Sequence, residues 1–294
     1  MNEAITKIAL IGGDERQLRL AAHLAGQWEC SVYGLPGEIG GAVRCADWRD
    51  ALSGAGALLL PLPVTRDGET VCAPLFDGSI PTLRGLLGTL APGTLVCGGM
   101  LPDDFCRKAL DAGMRVRDYG KSEVFLTRNA VPTAEGALEI LLGALDVTIA
   151  GSAVLVVGYG RVGQATARLL AAVGARVTVA ARSSSALALA ASVGCDTVDL
   201  KRDNVEKEFS QRAFTAVVNT VPAPVFDTAR LSALPEGTPL VELASVPCAD
   251  SGEAQSIGIR YIAALSLPGK TAPRTASAIL AETVDMILEE EGIL

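Results

Sequence analysis

Short apolar segments rich in β-branched residues alternate along the chain with segments of helical length. KIALIGG and AVLVVG are typical, and each is apolar at consecutive positions rather than at every second one. Strands with this pattern are buried on both faces, as in parallel sheets covered by helices. The pattern therefore predicts an α/β fold built from doubly wound parallel sheets.

The strand pattern recurs in both halves of the chain. The predicted strands are ITKIALIGG, ALLLPLPV, GTLVCGGM and MRVRDYG, followed by AVLVV, ARVTVAA, TAVVNTVP, TPLVELAS and IRYIAAL. Each half opens on a strand, a glycine-containing turn and a helical pattern. We therefore predict two Rossmann-like domains rather than one.

Two long segments with helical period join and close these halves. One is predicted to open at Pro132 and Thr133, and the other ends the chain. We predict a Rossmann-like N-terminal catalytic or substrate domain over residues 1–130, completed by a C-terminal helix over 272–294. Residues 131–271 are then a Rossmann dinucleotide-binding domain, with long helices joining the domains and a cleft between them.

Composition narrows the classes of function. The formal net charge is −8 and no basic stretch is present, which argues against a nucleic-acid partner. The apolar runs are too short for a membrane span, and the N-terminus lacks the layout of a signal peptide. Seven cysteines without a C-x-x-C pair indicate reduced thiols in the cytoplasm. With His23 as the one histidine, we expect no metal site.

A glycine turn follows the first strand of the second half. It matches G-x-G-x-x-G with a strand before it and a helix after it. Gly158 would permit the tight turn, Gly160 the approach of a pyrophosphate, and Gly163 the packing of helix on strand. Amides at the helix start would bind the phosphates; the alternative is a Rossmann-like domain that has lost its nucleotide. The cofactor-binding residues predicted here are Gly158, Tyr159, Gly160, Arg161, Val162 and Gly163.

An arginine occupies the position that usually carries an acid. The second strand ends at Ala181, and Arg182 follows where NAD-binding domains place Asp or Glu. A guanidinium binds a 2′-phosphate through paired charge-assisted hydrogen bonds. Ser183 and Ser184 add further donors, so we predict NADP as the cofactor. The alternative is a solvated arginine at the start of a loop.

A second turn is predicted to contribute to the cofactor site. In open parallel sheets, ligands bind beyond the carboxyl ends of the strands. Thr220, Val221 and Pro222 end a strand of the second half in such a turn. We therefore add them to the predicted cofactor-binding residues.

A nicotinamide cofactor implies hydride transfer, so we predict an oxidoreductase. Two domains with long connecting helices are typical of 2-hydroxyacid and alanine dehydrogenases. The hydroxyacid enzymes use a histidine base in the second half, whereas His23 lies in the first predicted helix. We interpret His23 as a surface or packing residue, which disfavours keto-acid or hydroxy-acid chemistry.

Several motifs in a fixed order resemble a known family. They are IGGDERQL, NAVPTAEG, VVGYGRVGQ, AARSSS, NTVPAPVF, ELAS and SLPGKTAPRTA. Together they resemble the family of the dipicolinate synthase A subunit, nearly end to end. One stretch departs from the family's pattern, because an Arg-Pro-Gly-Gly-like turn is expected after ELAS and the chain reads VPCAD over Val246–Asp250.

The resemblance implies a reaction and a partner. The reaction is NADP-linked oxidation of dihydrodipicolinate or its hydroxylated tetrahydro precursor, intermediates of the lysine pathway. Its product is pyridine-2,6-dicarboxylate, which bacteria make for spores during sporulation. The implied partner is the second type of subunit of dipicolinate synthase, its B subunit, which resembles flavoprotein decarboxylases.

A substrate with two carboxylates needs cations and hydroxyls around it. Lys270 and Arg274 bracket a proline at a predicted helix start, where cations oppose the helix dipole and so hint at function. Arg66 and Lys121 are further candidate cations, although Arg66 lies in a polar loop. The predicted substrate-binding residues are Arg16, Asn129, Thr133, Lys270 and Arg274.

Two carboxylates are candidates for the catalytic base. Glu135 would accept the proton beside the nicotinamide, with Asn129 and Thr133 on the substrate. In the alternative, Thr133 caps the bridging helix and Glu135 complements its dipole. Asp14 is the rival base, and it is equally suited to cap the first helix.

Two other functions remain open from the sequence. One is a different two-domain NAD(P)-dependent dehydrogenase acting on an amino or hydroxy acid. The other is a non-catalytic nucleotide-binding subunit that serves a partner. We expect a homo-oligomer, and the apolar C-terminal helix suits a dimer contact as well as a bridge between domains.

Overall fold

The computed structural model describes residues 6–293, which form two compact units. The first runs to Arg128 and resumes at Pro273, and the second spans Asn129–Ala272. Each unit contains one six-stranded sheet in which every observed strand pairing is parallel.

The first unit has the strand order of a Rossmann fold. Its sheet reads β3-β2-β1-β4-β5-β6. The strands are β1 (Lys7–Ile11), β2 (Glu29–Tyr33), β3 (Ala42–Arg44), β4 (Ala57–Leu59), β5 (Leu95–Gly98) and β6 (Arg115–Asp118). The helices are α1 (Glu15–Leu24), α2 (Trp48–Leu52), α3 (Leu83–Leu87) and α4 (Asp103–Asp111), with a 3₁₀ turn at Tyr119–Lys121.

The second unit begins inside α5 (Glu123–Ala144), and its sheet repeats the same order. Its sheet reads β12-β11-β10-β7-β8-β9. The strands are β7 (Ala153–Val157), β8 (Arg176–Ala181), β9 (Asp196–Asp199), β10 (Ala216–Asn219), β11 (Pro239–Glu242) and β12 (Arg260–Ala263). The helices are α6 (Arg161–Ala172), α7 (Ser184–Ser192), α8 (Val205–Arg212), α9 (Thr228–Ser232), α10 (Ser251–Ser256) and α11 (Leu267–Thr271), and α12 (Pro273–Glu290) belongs to the first unit.

Both sheets are buried on both faces, which confirms the predicted fold class. In β1, Ile8 and Leu10 belong to one apolar cluster and Ala9 and Ile11 to another, because successive side chains point to opposite faces. The same division occurs in β7. The apolar side of α12 packs against the cluster of the first unit that contains Ile8 and Leu10.

Three observed strands carried no recognised sequence signal. β3 and β9 are short edge strands with largely exposed or half-buried side chains, so they lack the apolar run of a central strand. β2 is central, but Glu29 and Ser31 interrupt its apolar residues. Each is nevertheless fixed by hydrogen bonding to a neighbouring strand, a non-local contribution.

The predicted start of the bridging helix is wrong. α5 begins at Glu123, and Pro132 lies inside it. A proline removes one backbone donor and usually ends or kinks a helix. Here buried Phe125 and Ala130 precede Pro132 and anchor the helix upstream of it. Thr133 and Glu135 therefore lie in mid-helix, where they neither cap the first turn nor complement its dipole.

Candidate functional site

The glycine turn of the second unit has the geometry predicted for it. Gly158 follows β7 with a φ of +91°, in the region that favours glycine. A Cβ on Gly163 would stand less than 3.0 Å from the carbonyl oxygen of Gly158. The absence of a side chain thus lets α6 begin directly against the end of β7.

The start of α6 is open on the side that a phosphate would approach. Gly160 is the N-cap residue and is exposed, and it has no side chain that could cap the helix. A Cβ on Gly160 would meet no atom of residues 6–293 within 4 Å. An uncapped helix N-terminus with this clearance fits a pyrophosphate group.

Arg182 lies where the sequence placed it, directly after β8. Its side chain is exposed, as are those of the serines that follow. Ser183 is the N-cap of α7, with its hydroxyl accepting from the Ala186 amide at 3.4 Å, and it lies 2.8 Å from the Ser185 hydroxyl. The loop thus presents one cation and several hydroxyls at the carboxyl end of β8.

The turn after β10 is tied to the glycine turn. The Thr220 hydroxyl donates to the carbonyl of Val157 at 2.8 Å. A Cβ on Gly158 or on Gly163 would point at this hydroxyl. Thr220 thus lies against the glycine turn, whereas Val221 and Pro222 continue the loop beyond it.

A buried carboxylate lies at the end of the next strand. Glu242 is the last residue of β11 and is 2% exposed. Its Oε1 accepts from Asn219 Nδ2 at 2.7 Å and from the Ala244 amide at 2.8 Å. Its Oε2 accepts from the Cys248 amide at 2.7 Å and from the Tyr261 hydroxyl at 3.4 Å. Glu242 therefore gathers donors from β10, β12 and its own following loop.

The protons around Glu242 are held on its neighbours. Burial first, and then the charge of Glu242, raise the pKa of the Tyr261 hydroxyl. Burial and a hydrogen bond to Glu242 likewise raise the pKa of the Cys248 thiol. Both groups therefore keep their protons at neutral pH and can donate hydrogen bonds.

A cavity of about 600 Å³ opens beside this network at the carboxyl ends of β11 and β12. Its apolar walls include Pro224, Phe226 and Pro247, and its polar ones include Glu242 and Tyr261. A concave, largely apolar site with a few fixed polar groups is typical of a small-molecule site.

Sequence reasoning missed Asn219, Glu242 and Tyr261. The available signal was a polar residue at the end of an otherwise apolar strand, in AVVN and PLVE. Such a residue must find partners inside the protein. The partners themselves depend on which strands are adjacent, which local sequence does not state.

The glycine turn of the first unit is built differently. The Gly12 amide donates to the Tyr33 carbonyl at 2.9 Å, just as the Gly158 amide donates to the Ala180 carbonyl at 2.8 Å. The difference is that the Gly13 amide donates to the Cys72 carbonyl at 2.9 Å. Asp14 caps α1 by accepting from the Arg16 amide at 2.9 Å. The Gly13 amide and the Arg16 amide in the first turn of α1 are therefore already bonded within the protein, and the anionic side chain of Asp14 lies at the helix start.

Arg16 and Asp14 form a partly buried ion pair. Arg16 is 8% exposed; its Nη2 lies 2.7 Å from Asp14 Oδ2 and donates to the Leu62 carbonyl at 2.5 Å. Burial acts to raise the pKa of the Asp14 carboxyl, but the hydrogen bonds and charge of Arg16 outweigh it and lower the pKa. Pairing with Arg16 therefore makes the Asp14 carboxylate a weaker base than a buried carboxylate without a partner.

The predicted residues of α5 have distinct surroundings. The Thr133 hydroxyl donates to the Asn129 carbonyl at 2.8 Å, within the helix. Asn129 Oδ1 is buried and has no hydrogen-bond partner within the part of the chain that the structure describes. Glu135 is exposed. A buried acceptor without a partner in the protein is uncommon, and a water or ligand would satisfy it.

Lys270 lies at the C-terminal end of one helix, and Arg274 lies at the N-terminal end of the next. Arg274 is in the first turn of α12, as predicted, and is exposed. Lys270 and Arg274 bracket Pro273, the first residue of α12, as predicted, but Lys270 itself is in the last turn of α11, where a cation favours the helix dipole. The local reason is that Pro268 starts a separate short helix before Pro273 starts α12.

Arg66 and Lys121 were the further candidate cations for the substrate site, and Arg66 is exposed. Lys121 Nζ lies 3.6 Å from Asp103 Oδ1 and 4.0 Å from Asp118 Oδ2, so it contributes to a surface ion-pair group. His23 is half-exposed and lies 2.8 Å from Asp285 Oδ2, which joins α1 to α12. The expected surface or packing role of His23 is consistent with this contact.

Comparisons with known proteins agree with this architecture. Residues 7–119 match the family model for the N-terminal domain of the dipicolinate synthase A subunit, and residues 154–281 match that of the saccharopine dehydrogenase NADP-binding domain. The dipicolinate synthase A subunit of Bacillus subtilis is 31% identical over 292 residues, covering 97% of this chain and 96% of the relative. The chain belongs to the family of the dipicolinate synthase A subunit.

Two crystal structures of the family superpose closely on this one. The dipicolinate synthase A subunit of Bacillus halodurans has a TM-score of 0.88 at 28% identity, with 96% of this chain and 97% of that chain covered. Its counterpart from Bacillus subtilis has a TM-score of 0.85 at 29% identity, with 99% and 97% covered. The resemblance inferred from the motifs is thus confirmed.

These matches establish the coarse nature of the second unit. It is a dehydrogenase-like domain for a nicotinamide dinucleotide, and the chain is an oxidoreductase of this family. Among residues 6–293, no helix combines the length and apolarity needed to cross a bilayer.

Proposed function

We propose that the chain oxidises a cyclic precursor to pyridine-2,6-dicarboxylate with NADP as the oxidant. The proposed substrate is dihydrodipicolinate, or its hydroxylated tetrahydro precursor, which would first lose water. Dihydrodipicolinate then loses a hydride and a proton to become the aromatic ring. The observation that carries this proposal is membership of the family over nearly the whole chain, combined with an intact glycine turn.

The residues of the second unit fit the cofactor. The amides after Gly160 would bind the pyrophosphate, and Gly158 and Gly163 hold the turn that presents them. Arg182, with Ser183 and Ser184, would bind the 2′-phosphate and so favour NADP over NAD. When bound, the nicotinamide accepts the hydride.

The turn after β10 would contact the rest of the dinucleotide. Thr220 lies against the glycine turn, and Val221 and Pro222 extend from it. Tyr159, Arg161 and Val162, inside the glycine turn, complete the proposed cofactor-binding set.

The proton released in the reaction needs an acceptor in the protein. Glu135 is the first candidate because it is exposed and able to take up a proton from solution or substrate. Asp14 is the second, although its pairing with Arg16 lowers its pKa. Because formation of the aromatic ring drives the reaction, a weak base suffices.

The substrate's carboxylates would be bound by polar side chains already present. Asn129 Oδ1 is a buried acceptor without a partner among the described residues, so it would accept from a ring N–H or hydroxyl of the substrate, and only its NH₂ group could donate to a carboxylate. Arg16 uses Nε and Nη2 on Asp14 and Leu62, which leaves Nη1 for a ligand. The proposed substrate-binding residues are Arg16, Asn129, Thr133, Lys270 and Arg274.

The family name denotes one subunit of an enzyme, so we propose a partner for this chain. That partner is the B subunit of dipicolinate synthase, which resembles flavoprotein decarboxylases. We also propose that the chain forms a homo-oligomer. The division of catalytic work between the two types of subunit is then an experimental question.

The deciding experiment mixes the purified chain with NADP and the lysine-pathway intermediate, with and without the partner. We expect pyridine dicarboxylate and NADPH to form in equal molar amounts, as followed by their ultraviolet absorbance. Reduction of NADP with an amino or hydroxy acid instead would assign the chain to another dehydrogenase reaction. Binding of NADP without turnover under either condition would identify a non-catalytic subunit.

The two candidate bases are separated by conservative variants. We expect Glu135→Gln to lower kcat for pyridine dicarboxylate formation more than tenfold, about 1.4 kcal/mol of barrier. Asp14→Asn is expected to have the smaller effect, because the Asp14 carboxylate is already engaged by Arg16. Glu139→Gln, also exposed and one turn further along α5, is the control. Losses below about tenfold in both variants would exclude both assignments.

A further inference from the structure

The last residues of three adjacent strands lie side by side in the second sheet. In the observed register, Val157 of β7 pairs with Asn219 of β10, and Asn219 pairs with Glu242 of β11. Neighbouring strands are about 4.8 Å apart, so the end of β11 lies roughly 10 Å from the glycine turn. A dinucleotide with its pyrophosphate on that turn would extend its nicotinamide half across these strand ends.

Side-chain hydrogen bonds link each of these strand ends to its neighbour. Thr220 donates to Val157, next to the glycine turn. The Asn219 side chain bonds the Val221 carbonyl at 2.9 Å and amide at 3.2 Å, and it donates to Glu242. Glu242 is thus the point where the loop after β10 and the loop after β11 are joined.

Glu242 also sets the shape of the cavity beside it. It holds the Ala244 and Cys248 amides, at the two ends of the loop that follows β11. The Cys248 carbonyl in turn accepts from the amides of Val225 and Phe226, each at 2.9 Å. Two walls of the cavity, one from each loop, therefore depend on the same carboxylate.

We propose that Glu242 is a positioning residue for the nicotinamide end of the cofactor. By accepting from Asn219, Ala244 and Cys248, it holds both loops in the conformation that forms the cavity at the ends of β11 and β12. This inference rests on the proposed use of a nicotinamide dinucleotide at the glycine turn. It does not depend on which ring compound is oxidised.

Glu242→Gln tests this role because it changes an acceptor into a donor. A carboxylate accepts at both oxygens, whereas an amide turns one of the two positions into an NH₂ group facing donors. Either orientation of the new side-chain amide would therefore oppose a backbone amide of the loop or the Asn219 side chain. Glu242→Asp keeps both acceptors but is one methylene shorter, and it is expected to give an intermediate result.

The readout compares two ligands that differ in the nicotinamide alone. We expect Glu242→Gln to weaken binding of NADPH about tenfold or more while binding of 2′-phospho-ADP-ribose changes less than about twofold, as measured by calorimetry. Glu236→Gln, an exposed acid in the same unit, is the control and should change neither. Circular dichroism and the retained binding of the shorter ligand establish that the variant is folded.

Each other outcome has a defined meaning. Equal weakening of both ligands would show a general loss of structure and overturn the positioning role, as would unchanged binding of both. If Glu242→Gln is unfolded, the comparison is made with Glu242→Asp, for which the same selective loss is required. Failure of the wild-type chain to form pyridine dicarboxylate would refute the proposed reaction but leave this binding comparison intact. If the wild-type chain prefers NADH to NADPH, the comparison is made with NADH and ADP-ribose instead of NADPH and 2′-phospho-ADP-ribose.

Discussion

Gly163→Ala is expected to weaken NADPH binding at least about a hundredfold. The new Cβ would stand less than 3.0 Å from the backbone oxygen of Gly158, and backbone cannot move aside as a flexible side chain can. α6 must then shift away from β7, and this shift moves the first-turn amides of α6 away from the position of the phosphates. Overpacking of this kind costs about 1–3 kcal/mol before any contact to the ligand is lost. Calorimetry with NADPH measures the effect.

Two other glycine variants make this test specific. Gly143→Ala adds a methyl group at an exposed position of α5 with no described atom within 4 Å, and it should leave binding unchanged. Gly160→Ala has the same clearance and should leave the melting temperature unchanged. It should nevertheless weaken NADPH binding, because its methyl group would occupy the space of the approaching phosphate. Undiminished binding by Gly163→Ala would contradict the assignment of this turn to the pyrophosphate.

Arg182→Ala is expected to raise the KM for NADP about thirtyfold and to change the KM for NAD less than about twofold. Hydrogen bonds between charged groups contribute about 1.5–3 kcal/mol each, and the 2′-phosphate is the one group that NAD lacks. Steady-state kinetics with both cofactors measure the ratio. If the proposed substrate is not turned over, the dissociation constants of NADPH and NADH give the same comparison.

The control for Arg182 is another arginine of the same strand. Arg176 begins β8, at the amino end of the sheet, and its Nε donates to the Gly151 carbonyl at 3.1 Å. Arg176→Ala removes the same charge from the chain but not from the carboxyl end of β8. It should therefore leave the preference for NADP intact. Equal losses for both cofactors in Arg182→Ala would assign the choice of phosphate to the serines or to Arg161.

Local features of the chain were readable without the fold. The glycine turn, the end of β8 at Ala181 and the exposed position of Arg182 follow from residues adjacent in sequence. Most central strands were also recognisable, since burial on both faces favours an apolar run, whereas β2, with Glu29 and Ser31, was missed. The family resemblance rested on such short motifs and is confirmed over nearly the whole chain.

Other features depended on contacts between distant residues. Local chemistry places a helix boundary at Pro132, but packing of Phe125 and Ala130 carries α5 through it from Glu123. Likewise, a sequence pattern cannot tell whether Asp14 is a base or a cap. The structure shows that Asp14 caps α1 and pairs with the guanidinium of Arg16, which also donates to the Leu62 carbonyl; its role as a base stays a prediction.

The sequence by itself determined the fold class, the family and the position of the cofactor turn, because these depend on periodicity and on glycine, whose backbone freedom is local. Only the tertiary structure decided that Asn219, Glu242 and Tyr261 form one network. Their meeting requires β10, β11 and β12 to be adjacent and in a particular register. Strand order is set by packing of the whole sheet, and no stretch of the chain encodes it alone.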